Sequence, residues 1–310
     1  MSAPPKPIFV IFGIDGGATC CHVAIDRLFV GSQSGTVGVY GVETKVLEET
    51  AYVDPDHRRI QSIDTQSDDL FIHIRAFAIL RLHRVQKNQW EIRNSIETDH
   101  VGFCNSLLLD GRLLTVSSDK ERVPVLCWTD KDGDKITDQS IIGDCAADVM
   151  PMYVTRGEEG EVLVGMEDGR LAVFKESEGS EGFECYEMLK FGREPIFCVA
   201  SCSKWIAAGC ARAPIYLLDR KNQGELREVG YPPDAAGCSS ITFSPNQKQI
   251  LAGFWDGSIR VFSCLRLSCL LALSSQHSAS ITSLHWRRPE DGELVIATSS
   301  DGTVSMWKLR

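Results

Sequence analysis

Four stretches of this chain repeat one pattern: a short apolar strand ending in small residues, a tight turn, and at once a second apolar strand. They are RLFVGSQSGTVGVY from Arg27 to Tyr40, EVLVGMEDGRLAVF from Glu161 to Phe174, QILAGFWDGSIRVF from Gln249 to Phe262 and LVIATSSDGTVSMW from Leu294 to Trp307. The turn glycines Gly35, Gly169, Gly257 and Gly302 lie 134, 88 and 45 residues apart, close to three, two and one units of about 44. That spacing requires two degenerate copies in the first gap and one in the second. LFIHIRAFAILRL (Leu70 to Leu82) and LLTVSSDKERVPVLCW (Leu113 to Trp128) fill the first, and WIAAGCARAPIYLLD (Trp205 to Asp219) fills the second, which makes seven units.

Inside the units, Leu171, Val173, Ile259 and Val261 alternate with Arg170, Arg260 and Ser258, the period of a strand and not of a helix. Asp-Gly and Ser-Gly suit two-residue hairpins, whose central positions favour positive φ. A unit of this length with paired strands and a small-x-Asp-Gly turn resembles the WD repeat, which builds one four-stranded blade per unit. The resemblance implies an all-β, seven-bladed WD40-type β-propeller over residues 1–310, with blades at about 17–50, 58–95, 98–141, 144–189, 193–229, 236–273 and 278–310. The chain ends at Arg310, directly after the third strand of the last unit, while a spare apolar segment, Ile8 to Phe12, precedes the first. Residues 7–12 are therefore expected to supply the missing outer strand and close the ring, which removes exposed sheet edges.

Repeats of this kind carry a buried network of histidine, turn aspartate, strand Ser/Thr and tryptophan. The last unit holds the fullest set, with His277, Asp301, Trp307 and Ser299 as the expected hydroxyl. Elsewhere only parts remain, such as Asp119 with Trp128, and Tyr40, Phe174, Leu218 and Phe262 stand in place of the tryptophan. These residues read as structural.

Composition narrows the function classes. Hydrophobic residues make up 43% and charged residues 24%, the balance of a folded globular chain. The formal net charge of −10 repels phosphate backbones and anionic membranes, so neither nucleic acid nor a membrane is an expected partner. No apolar run reaches transmembrane length and the apolar stretch after Lys6 is too short for a signal peptide, which points to the cytoplasm, the nucleus or both. The 12 cysteines are scattered through apolar runs without any CxxC pair, so reduced, buried thiols are expected and no metal site.

No catalytic motif is present: there is no GxSxG elbow, HExxH helix or GxxxxGK[ST] loop, and the histidines are dispersed. No cofactor is implied. The inner-strand segments ATCCHVAI, CSSITF and ITSLHW offer mostly small and apolar groups to a central channel. Asp130, Asp132, Asp134 and Asp138 resemble a calcium loop, but the glycine is misplaced and no final glutamate follows, so a solvated hairpin tip is expected. The acidic run Glu176, Glu178, Glu181 and Glu184 reads as an exposed loop, with a basic docking partner as the alternative.

The residues just before each turn aspartate open on the face where the chain enters each blade. These are Gln33, Ser118, Glu167, Trp255 and Ser300, the candidate partner-binding face. Trp255 is the informative member because tryptophan dominates binding hot spots; the alternative is that it folds flat over its neighbours.

Beyond the repeat, GSQSG (Gly31 to Gly35), HVGFCNS (His100 to Ser106), MPM (Met150 to Met152), MEDG (Met166 to Gly169) and GFWDGSIRVF (Gly253 to Phe262) resemble the WD-repeat family of guanine nucleotide-binding protein β-subunit-like proteins and the fungal ASTRA-associated proteins. The similarity runs nearly end to end and is poorer in the second and fifth units. It implies a non-catalytic, monomeric propeller acting within a larger complex, with the TTT co-chaperone, in the maturation and stability of phosphatidylinositol-3-kinase-related kinases. In fungi it implies a chromatin-associated ASTRA component. A heterotrimeric G-protein β-subunit would need a long N-terminal helix, where only about a dozen residues precede the first unit here. A ubiquitin-ligase substrate receptor would carry Trp-Asp-x-Arg at the end of a third strand, whereas Trp255-Asp256 falls in a turn.

Overall fold

In the computed structural model every repeat becomes an antiparallel four-stranded sheet, and seven such sheets form a β-propeller. The structure describes residues 5–98, 101–118, 124–130, 132, 135–140, 149–176, 183–221, 224–273, 276–289 and 292–309, with the backbone alone for 117–118, 124–126, 128 and 135–140. The first strand is β1 (Phe9–Ile11). Blade 1 follows with β2 (Ala18–Ala24), β3 (Arg27–Ser32), β4 (Thr36–Gly41) and β5 (Leu47–Val53). Blade 2 holds β6 (Ile60–Gln66), β7 (Asp69–Ile74), β8 (Ala78–Gln86) and β9 (Gln89–Glu97), and blade 3 holds β10 (Leu107–Leu109), β11 (Arg112–Ser118), β12 (Pro124–Asp130) and β13 (Lys135–Ser140). Blade 4 runs through β14 (Pro151–Arg156), β15 (Val162–Met166), β16 (Arg170–Glu176) and β17 (Phe183–Lys190), and blade 5 through β18 (Ile196–Ser201), β19 (Trp205–Cys210), β20 (Ile215–Asp219) and β21 (Glu225–Val229). Blade 6 comprises β22 (Cys238–Phe243), β23 (Gln249–Phe254), β24 (Ile259–Ser263) and β25 (Cys269–Leu273); blade 7 comprises β26 (Ile281–Arg287), β27 (Glu293–Ser299) and β28 (Val304–Leu309).

The fourth strand of blade 7 is β1, which pairs with β28 in the register Phe9 with Met306, Val10 with Ser305 and Ile11 with Val304. A strand from the start of the chain therefore closes the ring. The buried apolar residues fall into seven clusters, and each cluster joins two neighbouring blades. Leu171 and Val173 pack toward blade 5 while Ala172 and Phe174 pack toward blade 3. The alternation expected in the sequence is thus only partial: inner and middle strands are covered on both faces, so β15, β19 and β23 are nearly continuous apolar runs.

The four turn glycines share one backbone conformation, with φ of 85°, 82°, 82° and 83° at Gly35, Gly169, Gly257 and Gly302. A Cβ at Gly257 would lie 2.6 Å from the His277 carbonyl oxygen, so the turn also needs glycine to pack against the loop leading to the next blade. Blade 2, which lacks the Asp-Gly turn, forces Ala76 into the same left-handed region at φ 54°.

In blade 7, His277 Nε2 lies 2.7 Å from Ser305 Oγ, and the indole Nε1 of Trp307 donates to that oxygen at 2.8 Å. His277 Nδ1 lies 2.9 Å from Thr303 Oγ1, which donates to Asp301 at 2.6 Å, and Asp301 also accepts the backbone N–H of Ser278 at 2.9 Å. The hydroxyl of the network is therefore Ser305, not the expected Ser299. Ser305 and Trp307 stand two residues apart on β28 and project to one side, whereas Ser299, at the end of β27, donates to the Ala279 carbonyl at 3.0 Å and accepts from the N–H of Asp301 at 3.2 Å. Asp119 and the side chain of Trp128 lie outside the described residues.

Of the acidic segments, Asp132 sits in the β12–β13 turn and pairs with Arg81 of blade 2, which also holds Asp69 at 2.6 Å; Asp134 lies outside the described residues, as does the side chain of Asp138. Glu176 pairs with Arg112 at 2.9 Å and Glu184 lies on β17, while Glu178 and Glu181 are outside the described residues. The thiols of Cys198 and Cys238 lie 3.7 Å apart between blades 5 and 6.

Candidate partner-binding funnel on the upper face

The inner strands β2, β6, β10, β14, β18, β22 and β26 line the central channel, and their wall is more polar than the sequence segments suggested. Side chains reach across blade boundaries to the next inner strand. Thr19 Oγ1 donates to the Ile60 carbonyl at 2.6 Å, and Ser62 and Ser106 share a hydroxyl contact at 3.0 Å. The Asn105 amide donates to and accepts from the backbone of Val154 at 2.8 and 3.0 Å. Ser239 donates to Ile281, and His285 Nε2 lies 3.0 Å from the Cys21 carbonyl, which makes that nitrogen the protonated one. Small polar residues on the inner strands thus satisfy backbone carbonyls that no fifth strand can reach.

Deeper in the channel, His22 and Asp64 approach to 3.9 Å, and Asp64 accepts the N–H of Leu108 at 3.3 Å. Burial pushes the Asp64 carboxyl up to about 7, against the hydrogen bond from Leu108 and the charge of Arg156. Burial, helped by the charge of His285, holds the His22 imidazole down to about 4. A carboxyl whose folded pKa is raised costs stability as pH climbs from its unfolded value to its folded one. Asp64→Asn is therefore expected to raise the melting temperature by about a few degrees at pH 8 and to leave it nearly unchanged at pH 4. An equal effect at both values would show that the Asp64 charge is not responsible.

At the mouth of the channel, on the face where the chain enters each blade, the walls open into a funnel of about 470 Å³. Three aromatic rings climb one side of it. Phe103 meets Phe197 edge to face with centroids 6.3 Å apart, and Phe197 meets Trp255 in the same way at 5.5 Å. Trp255 remains 39% exposed and Phe103 54%. One edge of the indole lies directly on Gly237, where a Cβ would come within 2.6 Å of the ring, so absence of a side chain at Gly237 makes the seat for Trp255. One part of the ring is packed and the rest faces solvent.

The sequence-chosen positions are equivalent by geometry. Gln33, Glu167, Trp255 and Ser300 each donate their backbone N–H to the loop entering their own blade, at Gly17, Met150, Gly237 and Ser280, over 2.9 to 3.0 Å. All four side chains are exposed. The funnel brings Trp255 and Ser300 together; Gln33 and Glu167 are not among its lining residues. The side chain of Ser118 lies outside the described residues.

Sequence reasoning missed much of the rest of the funnel: Arg59, Gln61, Asn105 and Tyr153, with Phe103 and Phe197. These come from the first residues of the inner strands and the loops just before them, not from the turns. A signal did exist, because HVGFCNS contains Phe103 and Asn105 and MPM contains Met152, another lining residue. His100 lies outside the described residues.

The loop before β6 sets Arg59 apart from its neighbour. Asp54, fully buried, accepts the backbone N–H of Arg58 at 2.8 Å and hydrogen bonds from its Nε and Nη2 at 3.1 Å each, and Asp56 pairs with the same Nη2 at 2.8 Å. Burial alone would raise the Asp54 carboxyl, but these bonds and the Arg58 charge hold it below the usual carboxylate range. Arg58 is thereby turned outward over the Phe77 ring, at 3.4 Å. Arg59 is left to line the funnel, and its buried Nε has no hydrogen-bond partner among the described residues.

Comparison with known proteins agrees with this fold. The family model for WD40, described as WD domain, G-beta repeat, matches residues 229–263 and 267–308. The chain carries WD40 repeats in a seven-bladed propeller. The histone acetyltransferase type B subunit 2 of Debaryomyces hansenii is 32% identical over 102 residues, a match that takes in 30% of this chain and 24% of that protein. The chain thus spans about a quarter of that relative's length. Among solved structures, the crystal structure of the computationally designed protein Ika8 superposes with a TM-score of 0.65 at 14% identity, covering 94% of this chain and 96% of the other; at that identity the likeness concerns fold alone. No helix among the described residues is long and apolar enough to cross a membrane.

Proposed function

We propose that this propeller is a non-catalytic protein-interaction scaffold whose upper funnel seats a segment of a partner protein, with Trp255 as its anchor. The observation that carries the reading is the half-exposed indole, fixed by Gly237 and Phe197 at the rim of an open, aromatic-walled funnel. A prepositioned tryptophan buries a large area on contact with little loss of rotamer freedom. WD40 propellers in general mediate protein interactions. The finer assignment, to the TTT co-chaperone and the stability of phosphatidylinositol-3-kinase-related kinases, is supported by the end-to-end resemblance, whose HVGFCNS and MPM strings supply funnel residues.

The test is direct binding of purified TTT complex to the propeller and to its Trp255→Ala form. Trp255 is a surface residue, so the variant is expected to melt within about 2 °C of wild type while binding falls roughly 30-fold or more, the loss typical of a hot-spot anchor. Unchanged affinity of a folded Trp255→Ala protein would remove the funnel from the reading. If tagged protein drawn from its own cells instead retained γ-subunits or cullin-ligase components, the scaffold would stand and the co-chaperone assignment would fall.

A further inference from the structure

Among the described residues lining the funnel a single one is charged, Arg59, in a chain whose formal net charge is −10. Every other described lining side chain is apolar, aromatic or neutral and polar. The guanidinium is half-buried, and two polar atoms at the start of β6, Arg59 Nε and Gln61 Oε1, are buried without hydrogen-bond partners among the described residues. The Gln61 amide nitrogen is already committed to the Phe103 carbonyl. Neighbouring cations are otherwise engaged: Arg58 by Asp54 and Asp56, and Arg75 by the Val101 carbonyl at 2.6 and 3.0 Å. A buried polar donor without a partner is costly, and an incoming anion would relieve that cost while its own desolvation is offset by a charge-assisted hydrogen bond.

We infer that the funnel binds an extended, acidic peptide segment of a partner protein, with one Asp or Glu carboxylate on Arg59 and an adjacent apolar side chain against Phe197 and Trp255. The inference rests on the scaffold reading and specifies the chemistry of its partner. Charge complementarity selects the occupant. One arginine matches one monovalent carboxylate; a phosphate dianion is ordinarily held by a cluster of cations, and the overall negative charge opposes it. A basic tail would place its charge against Arg59 with no carboxylate among the described lining residues to receive it.

The probe is a phage-displayed library of random linear peptides selected on the folded propeller, with enriched sequences resynthesised and titrated. Enriched peptides are expected to carry Asp or Glu next to a bulky apolar residue. Replacing that acid by its amide should cost at least about 10-fold, the loss expected when a charged partner in such a pair is removed. Arg59→Gln should cost a similar factor, and the amide peptide should then lose nothing further on the Arg59→Gln protein. Arg59→Lys, which keeps the charge, should recover part of the binding and shows that loss is not a folding defect. Peptides that require Trp255 yet bind Arg59→Gln normally would overturn the carboxylate assignment and leave the scaffold reading intact. Peptides indifferent to both Trp255→Ala and Arg59→Gln would overturn both. Tighter binding when phosphoserine replaces the acid would assign the funnel to phosphopeptides and overturn the inference as stated.

Discussion

A chain lacking its first twelve residues is expected to lose most of its resistance to heat and urea. The removed segment contributes β1, whose three residues pair with β28, and its Ile11 is buried in the cluster joining blades 7 and 1 with Phe9 packed against it. Losing one fully buried aliphatic side chain and part of an aromatic one costs roughly 3–5 kcal/mol, a large share of the 5–15 kcal/mol that typically holds a domain folded. The loss is also a change in kind. Val304 and Met306 would face water, and β28 would present an unpaired edge to other molecules. Circular dichroism melts and size-exclusion profiles check this: a markedly lower transition with aggregation is expected, whereas deletion of residues 1–5, which stops short of the strand, should be neutral. Melting of the twelve-residue deletion within about 3 °C of wild type would show that the ring does not depend on this closure.

Trp307→Ala should be nearly as damaging. The indole is almost wholly buried between blades 6 and 7, and its N–H is the last link of the chain that runs from Asp301 through Thr303, His277 and Ser305. Removing it opens a cavity, at a cost of about 3–5 kcal/mol, and strips Ser305 of a donor. Trp307→Phe keeps most of the volume and loses the hydrogen bond, so it isolates the second effect, expected at about 1–2 kcal/mol. The two variants measured by urea denaturation at pH 7.5 separate packing from polar linkage. Acid adds a second handle. Burial holds the His277 imidazole below its ordinary value, against the opposing charge of Asp301, and Asp301 itself is held low by its bonds to Thr303 and Ser278, which outweigh its burial. Both groups therefore contribute stability that is complete above their unfolded values and lost as pH falls, first through histidine and then through carboxylate. If Trp307→Ala cost no more than Trp307→Phe, the packing account would fail.

What could be read from the sequence, and what could not, follows from the distance over which each feature is built. The hairpins at Gly35, Gly169, Gly257 and Gly302 are local: four residues and a positive φ suffice, and spacing does the rest. Ring closure by β1 was legible because a spare strand and a blade short of one can be counted. The network hydroxyl was misplaced by six residues because Ser299 and Ser305 are the same residue type in one hairpin and differ in which of its two strands they occupy. The funnel was legible only in part. Trp255 sits in a recognisable turn, but Arg59, Phe103 and Phe197 come from the start of β18 and the loops before β6 and β10 on three blades, more than forty residues apart from one to the next, and no periodicity connects them. Arg59 is indistinguishable from Arg58 in sequence; buried Asp54 decides which of the two turns inward. The small polar residues of the inner strands misled for a related reason, since Thr19, Asn105 and Ser239 serve backbone groups on neighbouring blades that a single-strand reading does not see.

The pairing of β1 with β28 has a geometric corollary for how the molecule can be tethered. Ile14, just beyond β1, bonds to Gly302 in the β27–β28 turn on the funnel side, whereas Ile8 and Lys308 line a shared hollow with Ile25 and Gly292 at the opposite end of the blades. The two ends of the described chain thus leave together from the lower face. A segment attached at either end would have to climb the height of a blade, roughly 20 Å, and round the rim before reaching Trp255. Fused at its ends to a larger assembly, the propeller would hold its funnel outward like a cup on a stem.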